Sequence, residues 1–237
     1  MRPTNNSDRP PTRRWCAAAG SRGRPGSWRE SPRPWSVTDV GLARVSALTV
    51  LWMGAFTLIT DAGLAHVPHL RELRLGATRH ITDAGLAHLS ALTRLDQGDN
   101  TSLTDGALAH VPNLTTLVIS GPGITDTGLR HVPRLTYLKV RPNAVAITDA
   151  GLVHVPHLAY LCVNSQSKIT DAGLALLPRL HQFQVIDALP PHITRDVAMR
   201  YYRRGRPATY IDEHDIARAA DVIPSVPVAP ADSCHIM

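Results

Sequence analysis

Histidine is the reactive side chain that recurs most regularly along this chain. It occupies one position of a repeated series, at His66, His88, His110, His131 and His154. Each histidine precedes an inward-facing Val or Leu by one position, so we expect the imidazoles to be at least partly exposed. Packed neighbouring helices lie about 10 Å apart, too far for adjacent histidines to share one metal ion. The series therefore predicts no metal site, and a pH response of the five histidines stays open as an alternative.

The other reactive residues do not form a recognisable active site. Cys16, Cys162 and Cys234 have neither metal-ligand nor CxxC spacing, which favours a reducing compartment over a disulfide framework or a zinc site. The acidic run at 212–215 is most simply the start of a helix. No P-loop, HExxH, GxSxG or strand-led GxGxxG occurs. We therefore predict that the protein is not an enzyme, uses no cofactor and has no small-molecule substrate.

Positive charge is concentrated near the amino terminus. The chain has a formal net charge of +6, and the eight Arg of residues 1–36, set against Asp8 and Glu30, account for all of it. Because the remainder is neutral, its surface has no net field to attract a polyanion. Pro, Arg, Ser and Gly dominate residues 1–36, which predicts a disordered basic tail. Nucleic-acid binding by this tail is a less favoured alternative.

The sequence gives no sign of export or of a membrane span. Arg13-Arg14 is not followed by the apolar run that a signal peptide needs. The longest uncharged stretch, 45–60, is shorter than the roughly 20 residues of a membrane helix. We therefore expect a cytoplasmic protein with no membrane partner.

The elements that must position any functional residue are internal repeats. The segment ITDAGLAHVPHLRELRLG at 59–76 has relatives that begin at Val37, Ile81, Leu103, Ile124, Ile147 and Ile169, with a broken eighth at Ile193. Successive starts lie 22, 22, 22, 21, 23, 22 and 24 residues apart. A period in the low twenties with L-x-x-L-x-L predicts an α/β leucine-rich-repeat solenoid, right-handed, with a parallel concave sheet and short convex helices.

Each repeat can be divided into a helix and a strand. Thr60 is predicted as the N-cap and Asp61 as a first-turn charge facing the positive end of the helix, which Pro68 stops near its eighth residue. Inward-facing side chains follow at Leu64, Val67, Leu70, Leu73 and Leu75. The strand around the last two is expected to pair in parallel with its counterparts in neighbouring repeats.

The repeats resemble the I-T-D-x-G-L subtype of leucine-rich repeats found in bacterial proteins, GALA-type effectors and F-box-associated proteins. The resemblance rests on the T-D-x-G-L segments at 60–64, 82–86, 125–129, 148–152 and 170–174, and it covers about 37–193. It implies a non-catalytic scaffold for protein–protein interaction. The alternative is a fragment or recognition subunit of a larger signalling, effector or ubiquitin-adaptor-like protein.

The predicted domain organisation follows from where the repeats begin and fail. Residues 37–192 form seven repeats, 193–221 a degenerate repeat and carboxy-terminal cap, and 222–237 a flexible tail. In the third repeat, Gln97 takes the place of an inward Leu or Val, which predicts local looseness or an amide turned toward a backbone partner. Arg195 replaces the repeated Asp in the eighth unit.

The positions that vary between repeats alternate with the strand leucines and face the concavity. One column holds Trp52, Arg74, Asp96, Val118, Lys139, Cys162 and Gln184, and a second holds Val50, Glu72, Arg94, Thr116, Tyr137, Tyr160 and Gln182. A third begins at Gly54, Gly76 and Gly98 and ends at Arg141, Asn164 and Ile186.

We predict a partner-binding face on these columns because repeat proteins usually bind there and because Tyr and Arg are enriched at hot spots. The predicted site residues are Trp52, Glu72, Arg74, Arg94, Asp96, Tyr137, Lys139 and Tyr160. The alternative is a solvated face on which Glu72 with Arg94, and Arg74 with Asp96, only neutralise each other.

The first repeat is unusually apolar and has no capping helix before it. Trp52, Met53, Phe56 and Leu58 lie in this repeat. An uncapped solenoid end exposes core, which predicts self-association or a partner contact there, unless the amino-terminal tail folds over it.

Overall fold

The structure is a computed structural model that describes residues 37–54, 57–144 and 146–201, together with the backbone of two short strands at 16–17 and 233–236. The helices are α1 (Asp39–Leu42), α2 (Asp61–Leu64), α3 (Asp83–Leu86), α4 (Asp105–Ala109), α5 (Asp126–Leu129), α6 (Asp149–Leu152), α7 (Asp171–Ala175) and α8 (Arg195–Tyr201). The strands are β1 (Cys16–Ala17), β2 (Val50–Trp52), β3 (Glu72–Arg74), β4 (Arg94–Asp96), β5 (Thr116–Ile119), β6 (Tyr137–Val140), β7 (Tyr160–Val163), β8 (Gln182–Val185) and β9 (Ser233–Ile236). Helix and strand alternate once per repeat from α1 to β8.

The repeat strands form a parallel sheet in chain order, β2 to β8, which confirms the predicted fold class. Each strand pairs with its neighbour so that equivalent residues of successive repeats stand side by side. The central column of the sheet is Leu51, Leu73, Leu95, Leu117, Leu138, Leu161 and Phe183, each no more than 1% exposed. Repeats of 21, 22 and 23 residues therefore all deliver their anchor to the same depth of the sheet, and the differences in length fall outside the strands.

The core is one continuous row of repeated apolar side chains. The helices contribute leucines such as Leu64 and Leu86, and the turns before the strands contribute Leu70 and Leu92, all fully buried. Burying a leucine contributes about 1.5–3 kcal/mol relative to leaving it exposed. Each repeat obtains this contribution only when its neighbours cover it, which is why the repeats must stack.

The helices are shorter than the sequence predicted. The helix that was expected to continue until Pro68 ends at Leu64. Beyond it, the N–H groups of His66, Val67 and Leu70 bond to carbonyls three residues earlier. The chain therefore continues in tight three-residue turns, which bring both Val67 and Leu70 into the core within a short length of chain.

Neighbouring repeats are joined by a contact between an aspartate and the threonine of the next repeat. Asp61 Oδ1 accepts the backbone N–H of Thr82 at 2.8 Å, and Asp61 Oδ2 accepts the Thr82 hydroxyl at 2.7 Å. The same two-point contact joins Asp39 to Thr60, Asp83 to Thr104, Asp105 to Thr125, Asp126 to Thr148 and Asp149 to Thr170. Asp171 accepts only the Thr194 N–H. We call this series the aspartate–threonine ladder.

The ladder adds a second role to the one predicted for the repeated aspartate. Asp61 lies in the first turn of its helix as predicted, and its carboxylate also bonds the next repeat. Thr60 occupies the predicted N-cap position but makes no capping hydrogen bond through its side chain, whereas the Thr82 hydroxyl accepts the N–H of Ala84 at its own helix start. Hydrogen bonds to a charged group contribute about 1.5–3 kcal/mol each, so the ladder is a substantial source of coupling between repeats.

The ladder also explains the glycine of T-D-x-G-L. A Cβ on Gly151 would overlap Asp126 Oδ1, and Gly63, Gly85, Gly128 and Gly173 meet the preceding aspartate in the same way. In the fourth repeat the order is reversed, and it is Gly106 whose Cβ would lie 2.9 Å from Asp83 Oδ2. A glycine therefore lies beside the carboxylate in each of these helices, although in the fourth repeat Ala107 occupies the usual glycine position and the Asp83–Thr104 contact is retained.

Gln97 is fully buried and satisfies its amide through the backbone, the second of the two predicted outcomes. Its Nε2 donates to the Asn100 carbonyl at 2.8 Å, and its Oε1 accepts the Ser120 N–H at 3.0 Å. The turn after β4 needs this support because Gly98 has φ +57°, and a Cβ there would overlap the Leu75 carbonyl. Gln97 thus replaces an apolar anchor and stabilises an irregular turn through its hydrogen bonds.

The sheet continues beyond the first repeat. The backbone of β9 pairs in parallel with β2, and β1 pairs with β9. Phe56 lies outside the described residues, as do residues 202–221 of the predicted carboxy-terminal cap, where the sequence indicates a final strand at 208–211 and a helix at 212–221. Self-association at this end of the solenoid stays a prediction.

None of the helices within the described residues has the length and hydropathy required to cross a bilayer. The longest of them, α8, has seven residues.

Replacing Gly151 by alanine tests the packing of the ladder. We expect Gly151→Ala to lower the free energy of unfolding by about 1–3 kcal/mol, because the new methyl group displaces the Asp126 carboxylate. Gly41→Ala is the matched control, since its Cβ would meet only Val37 Cγ1, at 3.5 Å. Urea denaturation followed by circular dichroism measures both variants. Equal stability of the two would contradict this role for the glycine.

Candidate protein-binding face

The concave face is the side of the sheet that carries the residues between the buried leucines. Its first two columns are in the register that the sequence predicted: Trp52, Arg74, Asp96, Val118, Lys139, Cys162 and Gln184 stand in line, as do Val50, Glu72, Arg94, Thr116, Tyr137, Tyr160 and Gln182. The third column differs at Asn164. Its side chain is 1% exposed and donates to the Val140 carbonyl, so it supports the turn and does not face outward.

Charged residues occupy the part of the concave face built by β2, β3 and β4. Trp52 Nε1 donates to Glu72 Oε1 at 2.7 Å, and Arg94 Nη1 donates to Glu72 Oε2 at 3.4 Å. The Glu72 carboxylate therefore links an indole on one side to a guanidinium on the other. All three side chains are half-buried, so the ion pair between Glu72 and Arg94 contributes modestly to stability.

Asp96 is the second charged centre of this face. It is 9% exposed, and its Oδ2 accepts Arg74 Nε at 3.1 Å and Arg141 Nη2 at 3.3 Å. Its Oδ1 accepts the Gly98 N–H at 2.9 Å, which ties the same carboxylate to the turn. The Arg74 guanidinium also lies 5.3 Å from the centre of the Trp52 ring, within cation–π range. The neutralising pairs that the sequence offered as an alternative are therefore present, with Arg141 added.

The two tyrosines of the predicted site form a stacked pair. The rings of Tyr137 and Tyr160 are 4.3 Å apart at an angle of 7°. They pack with Val118 and Cys162 into a small apolar cluster on the concave side, separate from the main core. Each tyrosine is only 7% exposed, and the Tyr160 hydroxyl bonds Gln184 Oε1 at 2.6 Å. The cluster therefore exposes little ring surface to solvent and packs beneath this part of the concave face.

Burial within this cluster changes the acid–base properties of its members. Burial raises the pKa of the Cys162 thiol to about 11, although the nearby Lys139 ammonium opposes the shift. Burial likewise raises the pKa of Tyr137 and of Tyr160 above the usual value for a phenol, and the proximity of the two rings adds to the rise at Tyr160. All three groups are neutral at physiological pH, so the charge of this region comes from Lys139 and Arg141.

The predicted site residues thus fall into two neighbouring groups. The charged group contains Trp52, Glu72, Arg74, Arg94 and Asp96, and the second group contains Tyr137, Tyr160 and Lys139. The prediction left out Arg141, which joins the two groups by reaching from β6 to Asp96 on β4. Its place in the third column was visible in the sequence, but the reach of its side chain across two strands was not.

The recurrent histidines lie away from this face. His66, His88, His110 and His131 are exposed and His154 is half-buried, as expected from their position in the repeat. His154 Nε2 accepts Arg130 Nε at 3.1 Å. Within 37–54, 57–144 and 146–201, no three His, Cys, Asp or Glu side chains converge as metal ligands would.

The thiol of Cys162 provides a direct probe of the tyrosine cluster. In a Cys16→Ser/Cys234→Ser variant, we expect Cys162 to react with a disulfide reagent at pH 8 about 100-fold slower than in urea, because a pKa near 11 leaves few thiolates. Absorbance of the released thiol measures both rates. Native and denatured rates within about threefold of each other would show that the cluster is open.

Comparisons with known proteins bear on the fold. No protein-family model matches the chain, and no curated protein matches its sequence. Among solved structures, Toll in its Drosophila complex with Spatzle aligns with a TM-score of 0.51 and 13% identity over 67% of this chain and 23% of that one. TLR13 in its complex with ssRNA13 aligns with a TM-score of 0.50 and 15% identity over 64% and 24%. Internalin C2 from Listeria monocytogenes has 21% identity over 73% and 84%, with a TM-score of 0.43.

These likenesses concern architecture. The chain spans about a quarter of the length of Toll and of TLR13. These structures are leucine-rich-repeat solenoids, and the present chain shares their regular alternation of parallel strand and short helix. Together with the in-register sheet and the buried leucine columns, the likeness shows that this chain is folded as a leucine-rich-repeat solenoid.

Proposed function

We propose that the protein is a non-catalytic scaffold that binds a protein partner on its concave face. The observation that carries the proposal is the contrast between two sets of positions. The leucine columns and the ladder are nearly invariant from repeat to repeat, whereas the concave columns vary in residue type while keeping register, apart from the adjacent Tyr137 and Tyr160 and the glycines at 54, 76 and 98. Positions that the fold holds in line without constraining their chemistry are suited to recognising a partner.

The composition of the face supports a macromolecular partner. Indole, guanidinium and carboxylate groups are already placed by mutual hydrogen bonds, so binding requires little loss of side-chain entropy. Toll and TLR13, two of the similar structures, were solved with Spatzle and with ssRNA13 respectively, so this architecture can bind either class of macromolecule. For the present chain, Glu72 and Asp96 lie among the cations of the face, and this mixture of charges favours protein over a polyanion.

A pull-down with the full chain as bait tests the proposal. We expect Arg94→Glu to lose most of the captured partner because it inverts a charge on the concave face. Independently, we expect Tyr137→Ala/Tyr160→Ala to lose most of the partner because the double change removes the stacked pair that packs beneath the face. Arg179→Glu is the matched control, since Arg179 is an exposed arginine in the turn before β8. Quantitative mass spectrometry of the eluates measures recovery.

Arg94→Glu is the decisive variant because Arg94 is half-buried on the surface and its replacement leaves the core intact. Recovery of the same partner at the control level by both concave variants would place the binding site elsewhere on the molecule.

A further inference from the structure

The carboxylates of the repeats are unequally distributed between the two sides of the sheet. The ladder engages Asp39, Asp61, Asp83, Asp105, Asp126, Asp149 and Asp171 in hydrogen bonds to threonines of the following repeats. These aspartates lie at the helix starts, away from the concave columns. Most of the negative charge that makes the repeats neutral overall therefore lies outside the concave face.

The concave face itself carries an excess of positive charge. Its cations are Arg74, Arg94, Lys139 and Arg141, and its anions are Glu72 and Asp96. Both carboxylates are already shared: Glu72 bonds Arg94 and Trp52, while Asp96 bonds two arginines. The repeats have no net charge overall, but the concave face therefore has a net positive charge.

The excess positive charge is concentrated at the end of β6, on Lys139 within the strand and Arg141 directly after it. Lys139 and Arg141 are two residues apart on the same side of the chain and are both half-buried. Lys139 makes no hydrogen bond or ion pair with another residue of the described ranges. Arg141 reaches Asp96 through only one nitrogen, at 3.3 Å, so its other N–H donors remain for a ligand.

An unsatisfied hydroxyl lies on the adjoining strand. Ser120 follows β5, where the pairing of Ile119 with Val140 places it next to Arg141. Its side chain is buried, and its Oγ has no hydrogen-bond partner within the described part of the chain. A buried hydroxyl without a partner costs free energy unless a ligand supplies one.

We infer that the concave face binds an acidic segment of a protein partner, whose carboxylates are received by Lys139 and Arg141 beside Ser120. This inference rests on the proposed function and specifies the chemistry of the partner. Arg94 lies on the same face and extends the contact beyond these two residues, while the stacked tyrosines pack beneath it. Carboxylate is the appropriate ligand because guanidinium and ammonium groups hydrogen-bond it strongly where water is partly excluded.

The stacked tyrosines argue for an acidic polypeptide over single-stranded RNA. Proteins that bind single strands stack bases on accessible aromatic rings. Tyr137 and Tyr160 stack on each other and are 7% exposed, so neither ring is available for a base. Four cations offset by two carboxylates also give few phosphate contacts.

Peptide selection on the full chain tests the inference. A phage-displayed random dodecapeptide library is selected on the immobilised protein, and the dissociation constant of the best peptide is measured by fluorescence anisotropy. We expect Asp and Glu to be enriched over the input library, and Lys139→Gln and Arg141→Gln each to weaken binding by about 5- to 30-fold. Affinity should also fall as salt is raised.

Two matched controls locate the effect. Lys168→Gln removes an exposed lysine outside the concave columns, and Arg13→Gln/Arg14→Gln removes charge from the basic amino terminus. Both should bind as the unchanged protein does. An acidic peptide that is lost only with the Arg13 and Arg14 changes would overturn the assignment to the concave face.

The remaining outcomes separate this inference from the proposed function. The selected peptides could show no enrichment of Asp and Glu and still lose binding with Arg94→Glu. That outcome would overturn the inference of an acidic partner and leave the proposed binding face intact. If no peptide is selected while the pull-down still recovers a partner that Arg94→Glu loses, the acidic segment is overturned and the binding face is kept. If a single-stranded RNA dodecamer binds more tightly than every peptide and loses affinity with Lys139→Gln, the partner is a nucleic acid and the inference is wrong.

Discussion

The hydrogen bonds between an aspartate and the threonine of the next repeat are the interaction on which the rest of this structure depends. Asp126 illustrates it, since its two carboxylate oxygens bind the N–H and the hydroxyl of Thr148. Because the carboxylate must cross the neighbouring helix to do so, that helix carries Gly151 where any side chain would collide. The threonine, aspartate and glycine of T-D-x-G-L thus take part in one contact between repeats. It fixes the relative position of successive repeats, and with it the register of the sheet.

A fixed register allows the concave face to vary without cost to the fold. Leu117, Leu138 and Leu161 hold three adjacent strands at the same depth. The side chains between them can then be charged, aromatic or small, since their direction is decided by the strand and not by their chemistry. The ladder also has an electrostatic consequence, because it keeps most repeat carboxylates away from the concave side. The same residues that hold the solenoid together therefore leave its concave face positive.

The sequence was sufficient for the fold and for the alignment of the concave columns, because both follow from a repeat of nearly constant length. The hydrogen-bond partners of the Asp61 carboxylate could not be predicted, because they depend on which atoms of Thr82 come within reach once the repeats stack. The burial of Tyr137 was also not predictable: alternation gives the side of the sheet a residue faces, but not how closely its neighbours cover it. Gln97 was predictable as an exception but its partners were not, because Asn100 lies in a turn with a left-handed glycine and Ser120 follows the next strand.

Amide hydrogen exchange in an Asp126→Ala variant tests most directly whether the ladder couples the repeats. The exchange rate of the Thr148 N–H should rise by about 10- to 100-fold, because its acceptor is removed. Protection should also fall at Leu138 and Leu161, in the strands on either side of that contact, while Leu73 remains protected. An unchanged rate at Thr148, with protection in β6 and β7 as in the unaltered protein, would contradict the account.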